Sequence, residues 1–117
     1  MREERGRFAG DLVVNEPMEL WGSVAGTVRV VEGGKFYMRG AVYGDLIVES
    51  GGRCHNFGNI SGNLIVHENT KVIHSGVVGK DVINEGGRLV VDATAKVMGK
   101  IRKKAGETKL EGPHREV

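Results

Sequence analysis

The sequence predicts an all-β, single-domain, three-sided parallel β-helix (a β-solenoid) of about five coils with an 18-residue repeat. Three observations predict it. A glycine recurs every 18 residues, apolar residues alternate with period two beside it, and a turn containing Gly or Asn closes each repeat. A fixed period of this length is the signature of stacked repeats. Each repeat would form one coil, with successive coils about 4.8 Å apart.

The repeat is clearest over residues 58–66, which read Gly-Asn-Ile-Ser-Gly-Asn-Leu-Ile-Val. The same pattern occupies residues 40–48 and 22–30, and a weaker copy begins at Gly76. The alternating apolar residues indicate strands. The turns between the copies contain Gly or Asn, which accept the positive φ angles of tight corners. With 19 glycines in the chain, a helical fold is excluded, because each Gly costs about 1 kcal/mol in a helix interior.

The repeat defines the predicted domain organisation. Residues 1–9 are a charged lead-in, residues 10–101 are the β-helix, and residues 102–117 are a charged tail or cap. One interpretation of the tail is a cap, because the end coils of a solenoid need to be covered. The predicted coils are 10–25, which is two residues short, then 26–43, 44–61, 62–79, and a fifth from Lys80 that departs from the period.

The third side of each coil has two candidate phases. The interior column with the highest apolar content is Met18, Phe36, Cys54, Val72 and Val90, so Cys54 is expected to be a buried thiol. Two residues further, the column begins apolar and ends polar: Leu20, Met38, Asn56, His74 and Asp92. The column between them changes in the opposite sense: Glu19, Tyr37, His55, Ile73 and Val91. A one-residue slip near the fourth coil, which would exchange the two faces, therefore stays open.

Asn56, His74 and Asp92 form a possible polar ladder, because stacked neighbours would lie within hydrogen-bond reach. No nucleophile accompanies them in this phase, so we expect a structural ladder and no catalytic residue. The four histidines lack the six-residue spacing of the hexapeptide-repeat enzymes that bind zinc, and we expect no metal site. Gly79-Lys80 and Gly99-Lys100 lack the other residues of a phosphate-binding loop. The chain is thus expected to be no enzyme and to bind no cofactor.

The composition of the chain limits the classes of binding partner and the cellular compartment that we expect. A net charge of +2 and 5% aromatic residues argue against nucleic acid. The single cysteine argues against a disulfide framework and fits a reducing compartment. The first residues lack the apolar core of a signal peptide, and no apolar run has transmembrane length, so we expect a cytoplasmic protein. No feature beyond the basic residues near Lys100 supports contact with a membrane.

One row stands out on the outside of the first strand of each coil. Alternation places its side chains opposite the interior, yet most of them are apolar: Val13, Arg29, Ile47, Ile65 and Ile83. Strands that are apolar on both faces are typically covered on both sides. We therefore predict that this row is an interface with another copy, another protein or the tail.

The sequence motif Gly-x-Val-x-Gly-Asp-Leu-x-Val, at residues 40–48, resembles the repeats of the bactofilins. The bactofilins are polymer-forming bacterial cytoskeletal proteins. The resemblance covers roughly residues 10–101. It implies a short three-sided β-helix with polar tails, and a non-enzymatic cytoplasmic scaffold that polymerises end to end without nucleotide.

Two functions follow as alternatives. The first is a structural scaffold that self-associates, as a homo-oligomer or a bactofilin-like cytoskeletal polymer. The second is a small binding protein, such as an immunity protein or inhibitor, that blocks a protein target with one flat face. Light scattering coupled to size-exclusion chromatography discriminates them, because filaments that grow with concentration favour the first and a clean monomer or dimer favours the second.

Overall fold

The computed structural model describes residues 1–116, in which every regular element is a β-strand. The strands wind into about six parallel coils with a repeat of about 18 residues, which confirms the predicted all-β solenoid and adds one coil to the predicted five. The molecule measures 35 × 25 × 20 Å. In the described part of the chain, no helix is long and apolar enough to cross a membrane.

Face 1 carries the most regular column of the interior. It consists of β3 (Leu12–Val14), β6 (Val28–Val30), β9 (Leu46–Val48), β12 (Leu64–Val66), the first part of β15 (Val82–Val91) and the first part of β17 (Ile101–Leu110). The register stacks Val28, Leu46, Leu64 and Val82, all fully buried, as the sequence predicts. These aliphatic side chains bury their area without any polar atom.

Face 2 follows face 1 in every coil. It consists of β1 (Arg2–Glu4), β4 (Pro17–Leu20), β7 (Lys35–Met38), β10 (Arg53–Asn56), β13 (Lys71–His74) and the second parts of β15 and β17. In its two inward columns, Arg2 and Glu4 of β1 are followed by the buried residues Met18 and Leu20 and then by Phe36 and Met38. Cys54 lies in the first column and is 5% exposed, as predicted.

Face 3 is the narrowest side, with one inward column. Its strands are β2 (Arg7–Phe8), β5 (Ser23–Val24), β8 (Ala41–Val42), β11 (Asn59–Ile60), β14 (Val77–Val78) and β16 (Lys96–Val97). The inward members include Val24, Val42, Ile60 and Val78, which are all buried. Two-residue strands suffice because the four inner ones pair with neighbours above and below, and β2 and β16 pair with one neighbour each.

The strict glycine period has a steric cause at the corner between faces 2 and 3. A Cβ placed on Gly40 would collide with the carbonyl oxygen of Gly22 in the coil before it, and Gly58 and Gly76 stand in the same relation to their predecessors. The coils therefore approach each other through bare backbone at this corner. No other residue fits without moving the coil below.

The corner between faces 1 and 2 turns through a left-handed residue. Gly33 and Gly51 have φ angles of 84° and 85°, and Asn69 takes the same place with a φ of 56°. Asn is the non-glycine residue that accepts this conformation most readily. This explains why the third turn reads Glu-Asn-Thr while its neighbours contain Gly-Gly.

Side chains join the coils at the corner between faces 3 and 1. The Oδ1 of Asp45 accepts the backbone N–H of Asn63 at 2.7 Å, and the Oδ1 of Asn63 accepts that of Asp81 at 3.0 Å. The same link recurs along the whole solenoid, through Asp11, Thr27, Asp45, Asn63 and Asp81, and ends at the N–H of Lys100. We call this series the corner ladder. It satisfies backbone donors that the sharp bend would leave unpaired.

Coil five departs from the period in two places, which corrects the predicted phase of face 2. Three residues separate Asn84 from Arg88, where four separate Val66 from Lys71, so the strand after the turn starts one residue early. Val72 consequently stacks on Leu89 and His74 on Val91, whereas Val90 and Asp92 were predicted at these positions. Val90 instead stacks on Ile73, outside the core. The extra residues lie in the corner 92–95 that follows.

Buried Asn84 holds the shortened turn. Its Oδ1 accepts the N–H groups of Gly86 and Gly87 at 3.0 and 2.9 Å, and its Nδ2 donates to the carbonyl of Gly87 and the hydroxyl of Thr108. The amide thus replaces a fourth turn residue with side-chain hydrogen bonds. These hydrogen bonds to the backbone of the turn explain why the polar Asn84 follows four valines in this column.

Strands extend beyond the predicted boundaries of the β-helix at both ends. Within the predicted lead-in 1–9, β1 and β2 pair with β4 and β5. Within the predicted tail 102–117, β17 continues to Leu110 and pairs with β15 along its length, and Glu116 forms a bridge to Ile101. The tail is therefore the last coil and does not lie over the outer row of face 1. Val117 lies outside the described residues.

Candidate interaction surfaces

The register places all members of the predicted outer row in one stacked column of face 1: Val13, Arg29, Ile47, Ile65 and Ile83. Val13 is 53% exposed, and the three isoleucines are half-buried between their lateral neighbours. The row ends at Arg102, which forms an ion pair with Asp81 at 3.7 Å. The isoleucines therefore form an apolar surface about two coil spacings long that nothing in residues 1–116 covers.

Arg29 interrupts the outer row between Val13 and Ile47. Its guanidinium points toward the next corner, where Nη2 donates to Oε1 of Glu49 at 3.0 Å. Hydrogen bonding to Arg29 keeps the pKa of Glu49 below its ordinary value. Arg29 is thus already paired with Glu49 at the edge of face 1. The continuous apolar part of the outer row begins at Ile47.

Two members of the predicted polar ladder meet in the core of face 2. Asn56 and His74 stack in register, both are fully buried, and Asn56 Nδ2 lies 3.1 Å from His74 Nδ1. His74 Nε2 lies 3.1 Å from the backbone carbonyl of Lys96. A carbonyl only accepts, so Nε2 carries the proton and Nδ1 accepts from the Asn56 amide, which makes the imidazole neutral. Burial lowers the pKa of His74, which agrees with a neutral ring.

The amide oxygen of Asn56 is also hydrogen-bonded, because Oδ1 accepts the N–H of Gly58 at 3.1 Å. Among the described residues, no buried side-chain nitrogen or oxygen lacks a hydrogen-bond partner. The Asn56–His74 pair is closed on itself and away from solvent. It can stabilise the stack, but it offers no group to a substrate.

Asp92, the third predicted member, lies outside the core next to the corner between faces 2 and 3. Its Oδ2 accepts the hydroxyl of Ser75 at 2.8 Å, and its Oδ1 accepts the N–H and hydroxyl of Thr94. The hydrogen bonds from Thr94 and then Ser75 lower the pKa of Asp92 to about 2. His55 Nε2 lies 3.0 Å from the other side of Ser75 Oγ.

The order of this cluster differs from that of a catalytic triad. Ser75 stands between His55 and Asp92 and gives its proton to the carboxylate, whereas a triad places the imidazole between the hydroxyl and the carboxylate. The Ser75 proton is therefore directed away from the base. Among residues 1–116, no group of three or more His, Cys, Asp or Glu could hold a metal ion. Burial raises the pKa of the Cys54 thiol, so this side chain is unreactive.

A basic column on the outside of face 2 was not predicted from the sequence. It consists of Lys35, Arg53, Lys71 and Arg88, which the register stacks on four successive strands with all four side chains exposed. Like charges directly opposite each other on neighbouring strands are destabilising. In the sequence, one cation follows each of the four turns that end at Gly34, Gly52, Thr70 and Gly87. Placing Arg88 in the same column as the other three required knowledge of the shortened turn of coil five.

Two shallow recesses flank the basic column. One, of about 230 Å³, is lined by Tyr37, His55 and Ile73 beside the cations. The other, of about 300 Å³, lies on the side of the turns and is lined by Gly51, Gly52, Gly86 and Gly87 together with Asn69 and Thr70. The second recess is polar and has backbone for its floor. The ends of the cations are therefore accessible from both sides.

Aromatic and arginine side chains alternate along the corner between faces 2 and 3. The guanidinium of Arg39 lies 5.3 Å from the ring centre of Trp21 and 4.3 Å from that of Phe57. Glu19 accepts hydrogen bonds from Trp21 at 2.8 Å and Arg39 at 2.7 Å. We call these side chains the aromatic corner. Trp21 and Phe57 remain 44% and 39% exposed, so the cluster is ordered yet accessible.

Comparisons with known proteins supply no relative from which a site could be transferred. No protein-family model matches the chain, and no curated protein and no solved structure matches it.

Proposed function

We propose that this protein is a non-enzymatic structural scaffold that self-associates. We further propose a cytoskeletal role like that of the bactofilins, the family that its sequence resembles. The observation that supports the proposal is the stacked apolar row Ile47, Ile65 and Ile83 on the outside of a β-solenoid. Fully burying an exposed Ile contributes roughly 1.5–3 kcal/mol, and each of these half-buried side chains would contribute a part of that. Two rows that face each other would offset part of the entropy lost on association.

The character of the two ends favours association through the sides of the solenoid. The first coil places Arg2 and Glu4 in the columns of Met18 and Leu20, and the last coil places Lys103 in the column of Asn84. Inward-pointing charges on edge strands oppose pairing with a further strand. We therefore propose lateral pairing of copies through face 1, in place of the end-to-end growth that the resemblance implies.

The test is the double substitution Ile47→Asp with Ile65→Asp, measured by light scattering over a range of concentrations. Both carboxylates would point away from the interior, so the β circular dichroism should be retained while the assembly dissociates. The matched control is Ala41→Asp with Val77→Asp, which adds the same charge to the half-buried outside of face 3. A wild-type protein that stays monomeric at every concentration, or a double variant that keeps the native mass, would exclude this proposal.

A second candidate function is the small binding protein, for which the aromatic corner is the supporting observation. Exposed Trp and Arg side chains are the residue types most enriched among those that dominate binding energy at interfaces. This candidate is favoured if the wild-type chain is a monomer and if Trp21→Ala, rather than the face 1 substitutions, abolishes binding to a protein target.

A further inference from the structure

We propose that the corner between faces 1 and 2 is a self-complementary electrostatic contact, in which the basic column of one copy binds the glutamates of the same corner of a second copy. This inference rests on the proposed self-association and adds a second contact surface to the outer row. Its occupant is another copy of this chain, for reasons of charge, spacing and symmetry.

Most charges of the basic column are not paired within residues 1–116; Arg88 is the exception and lies 3.5 Å from Glu107. Among residues 1–116, Lys35, Arg53 and Lys71 form no ion pair with an acidic side chain, and neither do Glu32 and Glu68. All five side chains are exposed. Stacked cations repel one another, so an unpaired column costs folding free energy that an external anion would recover.

The spacing of the carboxylates matches that of the cations. Glu32 precedes Lys35 by three residues, and Glu68 precedes Lys71 by three residues, so each carboxylate has the same offset from its cation across the turn. The two pairs lie two coils apart, about 10 Å at about 4.8 Å per coil, because Ser50 takes the place of the glutamate in the coil between them. A second copy of this chain carries both pairs with the same spacing. The phosphates of an extended nucleic acid strand do not share it.

Symmetry then selects one arrangement. A twofold axis parallel to the solenoid axis exchanges the two sides of the corner and keeps each coil level with its equivalent. Lys35 would face Glu32 of the second copy, and Lys71 would face Glu68 of the second copy. A twofold axis along the strands would instead place glutamates against glutamates. Charge complementarity therefore favours side-by-side copies with parallel axes, a closed and isologous contact.

The recess beside the turns makes this contact sterically feasible. Its floor is formed by Gly51, Gly52, Gly86 and Gly87, which lack side chains. A glutamate from a second copy can therefore approach Arg53 and Lys71 from the side of the turns. Asn69 and Thr70 border the same recess and supply uncharged polar groups at its edge.

Two reversed variants test the contact. One carries Lys35→Glu with Lys71→Glu, and the other carries Glu32→Lys with Glu68→Lys. Each should fold, because every changed side chain is exposed and Lys71→Glu relieves repulsion from Arg53 and Arg88. Each should self-associate at least about tenfold more weakly than the wild type, because all four pairs across the twofold axis become repulsive. An equimolar mixture should form a mixed assembly again.

The matched control is Arg7→Glu with Lys96→Glu on face 3, which changes the net charge equally and should leave self-association within about twofold of the wild type. If the wild type associates and both reversed variants associate equally well, this inference is wrong while the proposed function stands. If the wild type does not associate at all, the proposed function fails first. Mixing that restores nothing would likewise overturn the contact.

Discussion

The interiors of faces 1 and 2 are built from the same coils but on different principles. On face 1, Val28, Leu46, Leu64 and Val82 form an aliphatic column whose members are nearly interchangeable. On face 2, the column that begins with Leu20 and Met38 contains the hydrogen-bonded pair Asn56 and His74. Apolar packing is non-directional, so this column of face 1 supplies cohesion without distinguishing one coil from the next. The amide–imidazole pair fits only one order of coils, so face 2 supplies register.

The largest effect is expected on face 1, from Leu64→Ala. Leu64 is fully buried between Leu46 and Val82, and truncation leaves a cavity in the middle of the stack. The free energy of unfolding should fall by roughly 2–5 kcal/mol in chemical denaturation. The half-buried neighbour Ile65→Ala is the control and should cost clearly less. Equal losses at the two positions would mean that the column is not the core.

A smaller loss is expected on face 2, from His74→Leu. The substitution keeps the volume apolar but leaves Asn56 Nδ2 and the carbonyl of Lys96 without their partner, at a cost of about 1–3 kcal/mol. Adding Asn56→Leu should recover part of the loss, because the unpaired amide is removed and Gly58 N–H still reaches the carbonyl of Met38 at 3.0 Å. Strict additivity of the two substitutions would show that the pair is not coupled.

The smallest effect is the pH dependence of the same pair. Because burial lowers the pKa of His74 in the folded state, the unfolded chain binds a proton first as the solution is acidified. The stabilising contribution is present above about pH 6.5, the ordinary value, and is lost as the pH falls below it, by at most about 1.4 kcal/mol per pH unit. Denaturation at pH 7 and pH 5.5 should show this loss in the wild type.

The Asn56→Leu, His74→Leu variant is the control for the pH experiment. It should lose less stability between the two pH values, although His55, whose pKa burial also lowers, continues to contribute. Asp92 does not interfere in this window, because its pKa lies near 2. Identical slopes in the wild type and the variant would assign the dependence to other groups.

The sequence was sufficient where the period is exact and insufficient where side chains replace turn residues. Coils two to four follow from the glycines and the alternation, because a Cβ at these glycines would strike the coil below. Coil five was shifted by one residue because Asn84 closes a shorter turn, which no periodic pattern indicates. This shift moved Asp92 out of the predicted ladder.

The surfaces were predictable to different degrees for the same reason. The outer row of face 1 lies within the regular strands, and its members fall in one column as predicted. The basic column extends across the shortened turn to Arg88, and the cluster of His55, Ser75 and Asp92 depends on the enlarged corner after β15. Contacts that depend on insertions or deletions in the repeat could not be predicted from the sequence, because they depend on the register of the strands in the structure.

The corner ladder also gives the solenoid a direction and a last step. At each step from Asp11 to Asp81, a side-chain oxygen accepts the backbone N–H of the following coil, so every coil is joined to the one that precedes it. The last donor is the backbone N–H of Lys100, whose ammonium group has donors and no acceptor. Its side chain therefore cannot accept the N–H of a further coil. The series of side-chain acceptors therefore ends at Lys100, so this corner presents different hydrogen-bonding groups at the two ends of the solenoid.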